Sequence, residues 1–496
     1  MTDAAPYNPQ PAPGLKKVPP YWYPYTTMAK ERWLGRELLE VVSTEFRDRS
    51  MEYYRYALES GVTTINGRIA RPDTIILNGD CIQNVVHRHE PPVTSTPVRI
   101  ILHDVEREFI VVDKPGSIPV HASGRYFRNT LVEILEKEMG FKKVYTVNRL
   151  DRLTSGLMII PLTAERARQL TSEFMASTIR KEYVARCKGE FPIEEVICEE
   201  PLLTVDRQMG LNIVHPEGKV SQTMVRTQPA KTVFNRIRYD PNTNTSVVRC
   251  EPLTGRSHQI RVHLQFLGHP IANDPVYSET KIWGPNLGKG GIDIVPSDER
   301  SAPAPPPHLQ SHTETVGSPE SLTKGIGEQR QSEPGTKLLP RETGQDIGMG
   351  SPVPLSSEAV DVITRLRNMK DEDEDWSRWR DVVFRAKGKL MPNLALKPQP
   401  PSNQRKRGNY ARFVDEKLNR AMDSSKIATM EPQAESTAVV QSDNLYCPEC
   451  YLPLHPDPRP ERLYIFLHAK RYTTSLGSFE TDMPEWAAEG WTWDRS

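Results

Sequence analysis

The sequence predicts a mixed α+β protein built on a largely antiparallel sheet, with a small helical module in front of it and a long low-complexity stretch behind it. Three observations carry that prediction. Between residues 99 and 283, strand-patterned runs outnumber long helices, which argues for α+β rather than alternating βαβ units. Residues 285–350 and 386–440 are low in complexity, with Ala302-Pro303-Ala304-Pro305-Pro306-Pro307 followed by scattered Ser, Gly, Glu and Gln. Such composition buries too little apolar surface to offset the entropy of ordering. Farther on, residues 462–469 read as one more clear strand.

A chain of 496 residues exceeds one ordinary domain, so two or three modules joined by linkers are expected. Lys+Arg and Asp+Glu are both 64, so overall charge gives no sign of a polyanionic partner. Local charge does. Residues 141–188 hold ten basic against four acidic residues, a stretch of the kind that tracks phosphates, with a solvated charged face as the alternative. The six cysteines form no disulfide framework, which points to a reducing compartment. No apolar stretch approaches the length that spans a bilayer, so no membrane partner is expected. Residues 1–18 are Pro-rich, with an early Asp3 and no arginine, unlike a secretory signal or a mitochondrial presequence. Cytoplasm is the expected location, a nuclear share stays open, and the mitochondrion is less expected.

Residues 1–33 read as a disordered tail with an aromatic patch, Tyr21-Trp22-Tyr23-Pro24-Tyr25. Pro24 is expected to break any regular display there, which favours packing on a neighbouring domain over a base-stacking platform. Residues 34–95 form a small module. Leu38, Leu39, Val42 and Phe46 share one face of a helix over 36–47, and Tyr53, Tyr54 and Leu58 lie on a second over 51–60. A hairpin signalled by Asn66-Gly67 follows, then a run over 75–86 with Gly79-Asp80 as its turn. In residues 99–283, Phe109 to Pro115 reads as a strand ending in a loop. Residues 130–139 read as an amphipathic helix, and 163–174 as another, capped by Thr163. Residues 179–186 alternate as a strand. Residues 284–444 read as largely disordered except for a helical segment at 356–388. There Val360, Ile363 and Leu366, then Trp376, Trp379, Val382, Val383 and Phe384, flank the acidic run 371–375. That segment reads as a docked helix, with a protein-partner-binding segment as the alternative.

The chemistry concentrates in Val147-Asn148-Arg149-Leu150-Asp151-Arg152-Leu153-Thr154-Ser155-Gly156. One carboxylate lies between two arginines in a turn that feeds the apolar run Leu157-Met158-Ile159-Ile160. Opposite charge keeps such a carboxylate ionised, and a fixed, ionised carboxylate can act as a nucleophile. An ordinary Arg–Asp pair bracing a turn is the bland alternative. A second run, Gly255-Arg256-Ser257-His258-Gln259-Ile260-Arg261-Val262-His263-Leu264, sets Arg256, His258 and Arg261 amid what read as buried β positions; a basic surface strand is the alternative. Cys447-Pro448-Glu449-Cys450 raises a zinc question, but a closed structural site needs four ligands, so Cys447 and Cys450 are weak metal candidates.

These segments resemble the RluA-type pseudouridine synthases. The first is similar to that family's H-R-L-D-R-x-T-S-G signature, with Asn148 where the family usually has His. Residues 113–121 are similar to its D-K-P-x-G-x-x-V-H segment, and residues 181–185 to K-x-Y-x-A. Residues 255–277 are similar to G-R-T-H-Q-I-R-V-H-L … G-H-P-I-x-x-D-x-x-Y. Residues 34–95 resemble the αL RNA-binding module first known from a ribosomal small-subunit protein. The strand at 462–469 resembles the L-H-A strand that ends the family's catalytic core.

The resemblance implies a pseudouridine synthase catalytic domain over 99–283, interrupted by the 284–444 insertion and completed by residues 445–485. It implies Asp151 as the catalytic carboxylate, Tyr183 as proton acceptor or ring contact beside the base, and Arg261 as the partner that orients Asp151. Arg149 is expected to fill the space a flipped base leaves, and Arg152, Lys181, Arg256 and His258 to contact RNA. The reaction breaks a glycosidic bond, turns the uracil and rejoins it through carbon 5, so no cofactor is expected. The branch most similar to this chain implies a tRNA substrate, uridine 32 of the anticodon stem-loop, and a monomer. Another RNA substrate, or a non-catalytic RNA-binding or chaperone protein on this fold, are the alternatives. A fused zinc deaminase is disfavoured, because Tyr446 stands before Cys447 where a deaminase has Pro.

Overall fold

The computed structural model describes residues 14–46, 51–206, 210–215, 228–293, 351, 355–374 and 457–493. Two short strands, β1 (Leu15–Lys16) and β6 (Val93–Thr94), pair where the chain enters and leaves an N-terminal module. Within it β2 (Tyr21–Met28), β3 (Thr63–Ile65), β4 (Arg68–Ile69) and β5 (Cys81–Arg88) form a sheet in the order β2-β5-β3-β4. Helices α1 (Leu38–Glu45) and α2 (Met51–Glu59) back it, around a core of Trp33, Leu38, Leu39, Leu58 and Ile82.

Residues 21–28 are therefore a strand and not part of a tail, which corrects the expectation for the described part of 1–33. Pro24 is tolerated because β2 is an edge strand of this sheet. One side of an edge has no neighbour, so a missing N–H can be accommodated there. Tyr25 meets Phe46 within the module, and Tyr23 meets Phe127 of the following domain with ring centroids 4.9 Å apart. Glu90 fixes the junction by accepting from the backbone N–H of Arg128 and Asn129 and from the Tyr21 hydroxyl.

The main sheet contains β7 (Arg99–Asp104), β8 (Phe109–Lys114), β9 (Ser155–Pro161), β10 (Arg180–Lys188), β11 (Val196–Cys198), β14 (Thr232–Asp240), β15 (Thr245–Pro252) and β16 (Leu467–Thr474). Their order is β11-β14-β15-β10-β16-β9-β8-β7, with β17 (Gly477–Glu480) hairpinned onto β16. Strands β9 and β16 pair parallel; the other pairings in this sheet are antiparallel, which makes it mixed and largely antiparallel. Strand β16 lies between β9 and β10, so the returning chain joins the two halves of the sheet. A separate hairpin, β12 (Leu202–Asp206) with β13 (Leu211–Val214), stands over one end.

Helix α3 (Leu131–Glu133), continued by a π turn over Ile134–Glu138, and α4 (Ala164–Met175) cover the β7–β9 half. Thr163 caps α4 by accepting from the Arg166 N–H. Residues 259–266, which read as β positions in the sequence, form helix α5 (Gln259–Phe266). The misreading has a physical cause. Ile260 and Leu264 pack on the sheet, while Val262 packs on the opposite side against Tyr277 and Trp283. A helix buried between two apolar layers shows alternating apolar residues that imitate a strand.

Helix α6 (Thr280–Trp283) and helix α7 (Ser357–Glu374) complete that second layer. Leu355, Val360, Ile363 and Leu366 are buried against Val262, Tyr277, Ile282 and Trp283. The first part of the 356–388 segment is thus docked on its own domain, whereas Trp376, Trp379, Val382, Val383 and Phe384 lie outside the described residues.

Close approach of β9 and β16 depends on Gly156. It has φ +114°, and an added Cβ would enter the backbone of Ala469. Gly156→Ala is expected to cost at least about 2 kcal/mol, from strain plus collision. Urea unfolding checks this; a variant as stable as the parent would show that the two strands can part without loss.

Candidate active site

The site forms where β9, β10, β16 and α5 meet. Asp151 sits in the turn before β9, closed by the Thr154 N–H donating to the Asp151 carbonyl at 3.1 Å. A fully buried lysine, Lys114, holds this turn from behind. Its ammonium donates to the carbonyls of Pro115 and Ile118 at 2.9 Å each and reaches that of Arg152 at 3.4 Å. Burial pushes its pKa down to about 7.

Arg261, on α5, is 6% exposed and is shared by two carboxylates. It donates from Nε and Nη2 to the two oxygens of Asp274, at 2.6 and 3.0 Å, and from Nη1 to Asp151 Oδ2 at 3.1 Å. Asp274 is fully buried and also accepts from the backbone N–H of Val276 and Tyr277. Burial opposes charge on both carboxylates. For Asp274, Arg261 overcomes it; for Asp151, His258, charged only in the acid range where this carboxyl titrates, and Arg261 do, so both carboxyls lie below their ordinary pKa. The Asp151 side chain remains 22% exposed, so the second carboxylate on Arg261 faces solvent.

His258 precedes α5 in a left-handed conformation, φ 58°. Its Nδ1 lies 2.8 Å from the Tyr277 hydroxyl, which also accepts from the Asn212 N–H. That hydroxyl is best satisfied by donating to Nδ1, which leaves the proton on Nε2, 3.6 Å from Asp151 Oδ2. Burial, then the charge of Arg261, push His258 down to about 4. The ring is therefore neutral at pH 7, and Arg261 is the cation that keeps Asp151 ionised.

Tyr183 projects from β10 close enough to feel the Asp151 charge, and its hydroxyl lies 2.6 Å from that of Tyr472. Burial pushes its pKa up to about 12, so the phenol keeps its proton at neutral pH. The arrangement offers one neutral phenol and one neutral imidazole beside one ionised carboxylate that stays partly exposed to solvent. Such a set suits attack by, or proton exchange with, a carboxylate at an uncharged ring.

Residues 108–266 match the RNA pseudouridylate synthase family. A human protein, Pseudouridylate synthase RPUSD2, is 36% identical over 97% of this chain and 75% of its own length. This chain belongs to the RNA pseudouridylate synthase family. Its members isomerise uridine within RNA, and the mixed α+β sheet described above is the family's catalytic fold. Two proteins of Saccharomyces cerevisiae (strain ATCC 204508 / S288c) are also similar. "tRNA pseudouridine(32) synthase, mitochondrial" is 50% identical over 57% of this chain and 59% of its own length. "tRNA pseudouridine(31) synthase" is 34% identical over 53% of this chain and 72% of its own length.

In this RNA pseudouridylate synthase, Asp151, Tyr183, Arg261 and His258 come together. His258 lies beside Asp151 as a neutral imidazole, its Nε2 3.6 Å from Asp151 Oδ2. Arg149 is exposed beside Asp151 and His258, whose titration it influences. Arg152 turns away, its guanidinium 5.5 Å from the Tyr126 ring centroid. Lys181 and Arg256 lie together at the rim, and burial followed by the Arg256 charge lowers Lys181. Cys447 and Cys450 lie outside the described residues. Sequence reasoning missed Lys114, Asp274, Tyr277 and Tyr472 as site residues. The D-x-x-Y spacing of Asp274 and Tyr277 was a usable signal, since an aspartate accepting from the N–H two and three residues on is a local turn.

Removing one member of the buried Arg261–Asp274 pair strands the other. Asp274→Ala is expected to destabilise the fold by about 3–5 kcal/mol, read by chemical denaturation; a loss below about 1 kcal/mol would mean Asp151 alone suffices for Arg261. Acid should act through histidines. His258, His263 and His468 are each pushed down to about 4 by burial first. The unfolded chain binds more protons than the folded one between about pH 6.5 and 4, so stability present above 6.5 is lost as pH falls through that window. Melting temperature against pH checks this; a flat profile from 6.5 to 4 would contradict it.

Proposed function

We propose that this chain converts uridine to pseudouridine in tRNA, at position 32 of the anticodon stem-loop. The observation that carries the activity is the single ionised carboxylate, Asp151, held by Arg261 at an open cleft beside Tyr183. Breaking and remaking the bond between sugar and base needs no electron or group donor. It needs a carboxylate at the junction, a ring contact for the uracil and a way to hold the base out of its stack. Asp151 supplies the first and the Tyr183 ring the second. Because the Tyr183 phenol keeps its proton, it serves as ring contact and hydrogen-bond donor rather than as proton acceptor. Arg149, exposed at the turn, is the residue assigned in this reading to the vacated stack.

Lys181 and Arg256 support an RNA substrate. No carboxylate pairs with either among the described residues, and two neighbouring cations at a rim favour an anion such as a phosphate. Position 32 rests on the 50% identity to the yeast enzyme named for it; the relative named for position 31 is more distant. This chain spans 59% of the length of the first of these, so the substrate assignment belongs to the proposal. The proposal keeps the chain a cytoplasmic monomer without cofactor, although that yeast relative is named as mitochondrial. Among the described residues no helix is long and apolar enough to cross a membrane.

A nucleotide-resolution pseudouridine map of bulk tRNA treated with the chain tests this. Conversion at position 32 is expected, and Asp151→Ala should abolish it with RNA affinity changed no more than about a few-fold, since phosphate contacts dominate affinity. Conversion elsewhere would keep the chemistry and discard the position. Conversion by the alanine variant would remove Asp151 from its role. Tight binding without conversion would favour a non-catalytic RNA-binding protein.

A further inference from the structure

We infer that Tyr472, carried in by the returning strand β16, is a positioning residue that sets the direction of the Tyr183 hydroxyl. This rests on the uridine-isomerising reading of the site and deepens it.

The placement begins with strand register. Lys181 pairs with Tyr472 and Tyr183 pairs with Ala469, so Lys181 and Tyr183, two apart on β10, face partners three apart on β16. An odd separation puts side chains on opposite faces of a regular strand. The register shift between Glu182 and Tyr183 absorbs the extra residue, Lys470, and brings Tyr472 to the face that carries Tyr183. The bulge thus does at this spot what a regular ladder could not, and the two hydroxyls end 2.6 Å apart.

Proton directions follow from burial. The Tyr472 hydroxyl is fully buried and makes its one hydrogen bond among the described residues with Tyr183. If it accepted from Tyr183, its own proton would have no acceptor, so it donates to the Tyr183 oxygen. Tyr183 then accepts on that side, and its own proton is left for whatever occupies the cleft beside Asp151. A uracil offers carbonyl oxygens to receive it. With the donors reversed, the Tyr183 proton would be spent on Tyr472 and point away from the cleft.

Packing alone does not account for Tyr472. It is fully buried in the apolar cluster with Ala469 and Leu476. Phenylalanine would fill that space without bringing a hydroxyl that must be satisfied.

Single-turnover conversion, RNA dissociation constants and melting temperatures for Tyr472→Phe, Tyr183→Phe and the double variant test the inference. Tyr472→Phe is expected to slow conversion about tenfold, one hydrogen bond's worth, with RNA affinity within about twofold. Added to Tyr183→Phe it should slow conversion no further, because the hydroxyl it orients is gone. A Tyr472→Phe rate within about twofold of the parent, or rate losses that multiply in the double variant, would overturn the inference. A parent chain that converts no uridine would instead overturn the functional reading, and this inference with it.

Discussion

Everything at the site is arranged around one guanidinium that must serve two carboxylates. Taking Arg261 out of water is costly, and a buried cation persists only where its donors are met. Asp274, fully buried and tied to two backbone N–H groups, meets two of them and fixes the plane of the fork. The remaining Nη1 can then point in one direction, and Asp151 is there. The charge that reaches the cleft is therefore a surplus: one cation, two carboxylates, and only the second carboxylate exposed. The apolar layer behind α5 enforces the same geometry. Tyr277 carries the His258 contact and packs with Trp283, which α7 covers through Ile363 and Leu366. A helix from within the long insertion thus braces the far side of the catalytic helix.

The second constraint is topological. Strand β16 arrives after residues 284–444 and lies between β9 and β10, where it touches both halves of the site. His468 bridges the Ser155 hydroxyl, beside the Asp151 turn, to Thr481 beyond the strand, at 2.8 and 2.7 Å. Ala469 presses on Gly156, and Tyr472 reaches Tyr183. Three successive contacts on one strand tie the carboxylate's turn and the tyrosine's strand to a common frame. Contacts of such sequence separation are slow to form, because loop closure precedes their reward. The apolar runs of β8 and β9 are local and dense, which gives β16 a prepared edge on which to land.

What the sequence made legible was short in range. The carboxylate of Asp151 was legible in its turn, although its ion pair is made with the distant Arg261 and not with the adjacent arginines, and the run from Gly255 to Tyr277 holds Arg261 and both its buried supports within one stretch. The aromatic strand at Tyr21–Met28 was hidden by Pro24, whose meaning depends on whether the strand is an edge. Helix α5 was hidden by burial on both sides, which erases the helical period. Tyr472 carried no local signal at all. It lies 289 residues from Tyr183, and the bulge that turns it toward that residue is a property of two paired strands and not of either alone.

The distribution of charge in the cleft also separates binding from chemistry. Its inner groups are neutral apart from Asp151 and its partner pair: His258 is held uncharged, and the Tyr183 phenol keeps its proton. Arg149, Lys181 and Arg256, none of which pairs with a carboxylate among the described residues, stand outside that floor. On the proposed function, a polyanion would be drawn to these cations, where its phosphates would meet positive charge in high-dielectric surroundings and binding would weaken with salt. An uncharged pyrimidine can pass inward without bringing a phosphate against the carboxylate, which would repel it. A cationic His258 would weaken this division by neutralising Asp151 from a second side and lowering its nucleophilicity. Keeping that imidazole neutral, through burial and the Tyr277 hydroxyl, is what lets a single carboxylate remain both ionised and available.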